Sequence, residues 1–251
     1  MNDSQAYLDK KRFYASLITI YGRHSVMEAL QSPEVTVHKL HLSKSNKPDG
    51  IIKKMIAAAD AKGIAVEEHS KEKLSRISKN AKQDQGVAAD IVAPNYKEAA
   101  AFFADAPQAY RLLALDGIHN PQNLGMIIRS AAAGNIDGIV LPTKGSAKLS
   151  PLVMKASAGT MFKIDILYCE TLPELLEGLD GAAIYALSSH AEQSLGMLTP
   201  VPRSVFVLGN ESEGVSDAVT KCCNASVRIP MNRGVESLNV AVTAALIAFS
   251  E

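Results

Sequence analysis

The chain has only three cysteines in 251 residues, no apolar run of membrane-spanning length and no net charge. Each shortage closes off a class of protein. Cys222 and Cys223 are adjacent and Cys169 stands alone, a spacing that makes neither a disulfide framework nor a metal-ligand set. All three are read as reduced, structural residues, and no metal is expected. A membrane helix needs roughly 18 or more uninterrupted apolar residues, and the opening Met1-Asn2-Asp3-Ser4-Gln5 lacks the charged-then-apolar layout of a secretory leader. The expectation is a cytoplasmic protein with no membrane partner. Internal repeats and low-complexity tracts are also missing. So are a Walker loop and a Gly-x-Gly-x-x-Gly turn, which argues against a nucleotide-dependent oxidoreductase.

What remains is an ordinary globular composition, 47% hydrophobic and 21% charged, enough for one large or two modest domains. The zero net charge conceals an asymmetry. Residues 1–97 carry 16 Lys and Arg against 11 Asp and Glu, and the remainder carries 10 against 15. A basic first half suits a polyanionic partner, although two oppositely charged solvated surfaces give the same count.

Hydrophobic periodicity divides the chain. Residues 1–17, with Lys10-Lys11-Arg12, read as a flexible basic extension. Residues 18–93 alternate between short strands and helices: a strand over Val35 to Leu42, a helix over Ile51 to Ala61 stopped by Gly63, and a closing strand over Val87 to Val92. Residues 94–108 read as a linker with a lead-in helix from Tyr96 to Ala104. From residue 109 to 251, continuous apolar strands such as Leu112 to Leu115, Gly138 to Leu141 and Val205 to Leu208 alternate with helices. That pattern predicts a parallel sheet covered on both faces, with its ligand site beyond the carboxyl ends of the strands.

Three segments of this second half carry candidate chemistry. In Asn120-Pro121-Gln122-Asn123-Leu124-Gly125, running to Arg129, the Asn-Pro pair predicts a capped helix start. Gly125 and Arg129 are four residues apart, so the glycine is expected to leave open space beside the guanidinium. Leu208-Gly209-Asn210-Glu211-Ser212-Glu213-Gly214 follows an apolar strand, and Gly209 is expected to let a ligand approach the backbone. Ile229-Pro230-Met231, running to Ser237-Leu238-Asn239, ends a strand and opens the last helix, with Ser237 as its N-cap at least and Asn239 in the first turn.

Taken together, the order and spacing of the three segments resemble the signature motifs of the SpoU/TrmH family of RNA 2′-O-ribose methyltransferases. Tyr21-Gly22-Arg23-His24-Ser25-Val26 and Gln85-Gly86-Val87-Ala88-Ala89 extend the resemblance to that family's small RNA-binding domain. It implies an α/β fold in which a parallel-sheet catalytic domain with a C-terminal trefoil knot follows a small α/β domain like ribosomal protein L30e. The resemblance implies S-adenosylmethionine as methyl donor, held at Gly209, Ile229 and Leu238 with Leu187 and Ser188 alongside. It implies catalytic roles for Asn123, Arg129, Glu211, Ser237 and Asn239. RNA is the implied substrate, large-subunit (23S) rRNA and a guanosine above others, and a homodimer the implied assembly. The alternatives are a tRNA 2′-O-methyltransferase and a non-catalytic knotted RNA-binding or ribosome-assembly protein. A guanidinium is hard to deprotonate, so Arg129 is expected to stabilise the developing alkoxide and clamp a phosphate while water or phosphate takes the proton. Asn123 is expected to orient Arg129 or the ribose.

Overall fold

The computed structural model describes residues 7, 13–14, 17–33, 35–47, 49–92 and 95–250 and divides into two compact units, residues 1–94 and 95–251. Of the expected basic extension, only Tyr7, Phe13, Tyr14 and Leu17 fall within the described residues.

The first unit runs β1 (Leu17–Tyr21), α1 (Arg23–Gln31), β2 (Thr36–Ser43), α2 (Gly50–Ala61), β3 (Ala65–His69), α3 (Lys71–Ser78) and β4 (Val87–Val92). Its mixed sheet has the order β1-β4-β2-β3: β4 is antiparallel to β1 and β2, and β3 lies parallel to β2 at the edge. Val26, Ala29 and Leu30 of α1 and Ile52, Met55 and Ala59 of α2 are buried at helical spacing, which lets each helix bury one apolar stripe. Helix α3 was not evident from sequence because it is polar almost all round; Leu74 is its one buried apolar residue, and the Ser70 hydroxyl caps it by accepting from the Lys73 amide. The two N-terminal segments of the resemblance meet, the Gly22 amide donating to the Val87 carbonyl at 3.0 Å and the Arg23 amide to Gln85 Oε1 at 3.1 Å.

The second unit runs β5 (Tyr96–Glu98), α4 (Ala99–Ala104), β6 (Tyr110–Leu115), α5 (Pro121–Ala133), β7 (Gly138–Pro142), α6 (Pro151–Ala156), β8 (Asp165–Cys169), α7 (Leu172–Glu177), β9 (Ala183–Leu187), β10 (Gln193–Ser194), β11 (Arg203–Leu208), α8 (Asp217–Thr220), β12 (Ala225–Arg228) and α9 (Val240–Ala248). The sheet order is β10-β12-β9-β11-β6-β7-β8-β5, every pairing parallel. The segment read as a linker differs from that expectation: Tyr96–Glu98 pairs with β8 and α4 packs with the same unit, because Ala99, Phe102 and Phe103 have apolar surface to bury there. Strands β6, β7 and β11 are almost wholly buried, as strands covered on both faces must be.

Helix α5 packs against both α6 and α9. The chain end is tied back beneath them: the Asn135 amide donates to the Ala248 carbonyl at 2.7 Å, and the Arg111 guanidinium donates to the Ser250 carbonyl and hydroxyl at 2.7 and 2.8 Å. Among the described residues no helix is long and apolar enough to cross a membrane.

Candidate active site

The Asn120 side chain accepts from the Gln122 amide at 2.8 Å with Pro121 in the first turn, so α5 starts where the sequence places it. This fixes Asn123 on the inner side of the helix, where it is 5% exposed. Gly125 has a different role from the one expected. A Cβ there would stand 2.5 Å from Ala156 Cβ and 2.7 Å from the Val153 carbonyl oxygen. The missing side chain therefore lets α5 and α6 touch, and the space beside it is filled by protein.

The second segment closes on itself. Asn210 Oδ1 accepts from the Ser212 and Glu213 amides at 2.9 and 2.8 Å, and the Gly214 amide donates to the Asn210 carbonyl at 3.0 Å. A Cβ at Gly209 would lie 1.9 Å from the Gly214 carbonyl carbon and 2.1 Å from the Val215 nitrogen. The loop's own backbone thus demands a glycine at 209. The Ser216 amide donates to Asp116 at 2.8 Å and anchors the far end of the loop beside β6.

In the third segment, the last helix begins later than expected. Asn239 is its N-cap, Oδ1 accepting from the Ala241 amide at 2.9 Å, and Ser237 stands two residues before it on an exposed stretch. Both residue types cap well; the choice falls to Asn239 because buried Val240 and Ala241 set where the apolar face begins.

These segments meet through side chains. Asn239 Nδ2 donates to Asn123 Oδ1 at 3.3 Å, and Asn123 Nδ2 donates to the Glu211 carboxylate. One buried amide therefore joins the start of α5, the loop after β11 and the cap of α9. Asn123 thus bonds Glu211 and Asn239 rather than Arg129.

Beside this bridge a cleft of 560 Å3 opens at the carboxyl ends of β9 and β11, within the range typical of small-molecule sites. Leu187, Ser188, Gly209, Glu211, Ser237 and Leu238 all line it. Ile229 lines a neighbouring cleft of 600 Å3 that shares Ser189, His190 and Glu236 with the first. Arg129 lines neither and is exposed. It lies six residues along α5 from Asn123, about 9 Å further along the axis and about a third of a turn away. No cysteine provides a ready nucleophile in this unit. Burial pushes the Cys169 and Cys223 thiols up to about 11, which holds both in the unreactive protonated form at neutral pH.

Residues 110–249, more than half of the chain, match the model of the SpoU rRNA methylase family. The chain belongs to that family. The family's reaction, methyl transfer from S-adenosylmethionine to a ribose 2′-hydroxyl of RNA, is thereby its activity class. Residues 19–97 of this SpoU family member match a second model, RNA 2′-O ribose methyltransferase substrate binding. It is 33% identical over 238 residues to a Staphylococcus saprophyticus protein named for the TrmH family of tRNA/rRNA methyltransferases, covering 92% of this chain and 94% of that one. An uncharacterized tRNA/rRNA methyltransferase of Mycobacterium tuberculosis is 31% identical over 234 residues, or 91% of this chain and 72% of the relative. Among solved structures, an RNA 2′-O ribose methyltransferase superposes with a TM-score of 0.57 at 26% identity, covering 98% and 90% of the two chains. An AdoMet-bound rRNA methyltransferase from Sinorhizobium meliloti shares the fold, with a TM-score of 0.65 at 23% identity over 96% and 88%.

Proposed function

We propose that this SpoU family member methylates one ribose of large-subunit rRNA, a guanosine, and that the cleft at the ends of β9 and β11 holds S-adenosylmethionine. The observation that carries the placement of the site is the bridge Asn239–Asn123–Glu211 beside that cleft, which brings all three sequence segments to one place; the choice of rRNA rests on the resemblance of the first unit to the family's RNA-binding domain. The cleft suits the cofactor in size and in its mix of loop backbone and apolar side chains, and the AdoMet complex of the Sinorhizobium relative supports the assignment. Leu187, Ser188, Gly209, Leu238 and, from the adjoining cleft, Ile229 would hold it, with Ser237 at the mouth. When bound, the cofactor supplies an electrophilic methyl group.

The chain's own residues must then position the ribose in line, exclude water and stabilise charge on the 2′-oxygen. Glu211 is held in one orientation by Asn123, and Asn239 fixes the start of α9. Arg129 acts as donor: a guanidinium keeps its proton but stabilises an alkoxide and can grip the neighbouring phosphate with two parallel bonds. Water or that phosphate takes the proton.

Its position outside the cleft points to a homodimer in which Arg129 serves the partner's site. Met126 on α5, three residues from Arg129, Val242 and Leu246 on α9, and Phe249, the C-cap of α9, are exposed at 41%, 48%, 43% and 62%. Residues 242, 246 and 249 share one helix face, and large exposed apolar surfaces mark association sites. The C-terminal trefoil knot belongs to the same proposal, supported by the return of α9 to α5 and of Ser250 to Arg111.

The test is transfer of labelled methyl to total RNA lacking 2′-O-methylation, with Arg129→Ala beside the wild type. Label at one ribose of large-subunit rRNA, lost in the variant, is the expected result. Label in tRNA, which the names of the relatives equally admit, would replace the substrate. Cofactor binding without transfer to any RNA or pre-ribosomal particle would favour a non-catalytic assembly role.

A further inference from the structure

The sheet of the first unit carries a cluster of ionisable side chains that the methyl-transfer reading leaves unused. His41 on β2 and Glu67 on β3 are register partners, and His69 follows two residues on, so the three project from the same face of adjacent strands. His41 Nδ1 lies 2.9 Å from His69 Nε2, and Glu67 Oε2 lies 3.6 Å from that same nitrogen. All three ligand atoms fall within 4.8 Å of one another. Both imidazoles are buried, at 5% and 4% exposure, while Glu67 reaches solvent.

We propose that His41, Glu67 and His69 bind a zinc ion, with water as the fourth ligand. Two imidazoles and a carboxylate form a donor set that suits zinc. The arrangement behind the first ligand matches what such sites require: His41 Nε2 lies 2.9 Å from Asp90 Oδ2, and the other oxygen of Asp90 accepts from the Thr19 hydroxyl at 2.7 Å. A carboxylate there keeps the proton on Nε2, which leaves the lone pair on Nδ1 aimed at His69. In the metal-free protein His69 Nε2 must therefore donate into that lone pair. Moving the His69 proton to its other nitrogen frees both lone pairs, and the ion takes the place of the shared hydrogen.

The geometry needs little adjustment. Two nitrogens on a tetrahedral zinc at 2.0–2.1 Å stand roughly 3.3 Å apart, so the rings must part by a few tenths of an ångström. Lys39 opposes the ion, since its Nζ lies 2.6 Å from Glu67 Oε1. A bound ion would tie the edge strand β3, otherwise exposed along Ala65–Glu68, to β2.

The test uses the full-length protein free of any affinity tag, stripped with a chelator and titrated with zinc against a chromophoric competitor, with cobalt in parallel. The expected result is one ion per chain, a cobalt spectrum of tetrahedral type, and a melting temperature that rises with zinc. Glu67→Gln, at an exposed position that keeps the fold, should weaken binding at least tenfold and Asp90→Asn by about 10–100-fold, while Lys39→Met should tighten it. Absence of stoichiometric zinc, or zinc held equally well by Glu67→Gln and His69→Gln, would overturn the proposal.

Discussion

Gly125→Ala puts one methyl group into the contact between α5 and α6. The added carbon would sit 2.5 Å from Ala156 Cβ, 2.7 Å from the Val153 oxygen and 3.0 Å from the Ser157 nitrogen. Carbon atoms prefer separations of about 3.5–4.0 Å, so the helices must part by about 1 Å. Two of the three obstructing atoms are backbone and cannot rotate aside. Overpacking of this kind costs about 1–3 kcal/mol, and the upper end applies here. Alanine's better helix propensity returns about 1 kcal/mol. The net loss is about 2 kcal/mol, which for a protein of this size lowers the melting temperature by about 4–8 °C. Because α5 carries Asn123 and Arg129, kcat/KM should fall as well. Gly196→Ala is the control: a Cβ at that position meets nothing within 4 Å, and its melting temperature should stay within about 1 °C. A Gly125→Ala protein that melts at or above the wild-type temperature would refute the packing argument.

Gly209→Ala should act mainly on function. Its Cβ would strike the backbone of Gly214 and Val215 at 1.9–2.1 Å, so the loop bearing Glu211 must refold; cofactor affinity measured by calorimetry should drop at least tenfold, and unchanged affinity would show that this loop does not shape the cleft. If Arg129 serves the partner's site, co-expressed Arg129→Ala and Glu211→Ala chains, each inactive alone, should regain about a quarter of wild-type turnover through mixed dimers with one intact site; continued inactivity of the mixture would place Arg129 in its own protomer's site. Cys169 and Cys223, raised to about 11 by burial, should react with iodoacetamide at pH 8 roughly two orders of magnitude more slowly than a free thiol of pKa about 8.5. The sign for stability follows: the folded state holds these protons more tightly, so their contribution is complete below pH ~8.5 and fades as pH rises towards 11. A denaturation midpoint that climbs over that range would contradict it.

What could be read from sequence, and what could not, divides by the distance between the interacting residues. The Asn120–Pro121 start of α5 needs only neighbours, and the structure reproduces it. The burial of Leu112 to Leu115 and Val205 to Leu208 likewise follows from composition. Gly125 meets residues 153–157 where its spacing from Arg129 suggests open space, and Gly209, which lines the cleft, also meets residues 214–215 across a closed loop. A glycine records that something comes close without recording what. The partners of Asn123 are out of reach of local sequence for a related reason. They lie 88 and 116 residues away.

The histidine cluster is the extreme case. His41 and His69 are 28 residues apart in unlike segments, β3 is a polar edge strand, and only the parallel register His41↔Glu67 brings them together. A slip of one residue would turn every side chain of β3 to the opposite face and dissolve the cluster. What sets that register includes the Lys39–Glu67 ion pair, a weak constraint because water screens it, together with the burial of His69 itself. The strand's own apolar content adds little. The proposed zinc would therefore act where the sheet is least determined by its core, and metal removal should loosen β3 before any other strand of that unit. Hydrogen exchange with and without chelator measures this directly: faster exchange confined to residues 65–69 is expected, and a uniform change across the sheet would mean that the ion acts elsewhere.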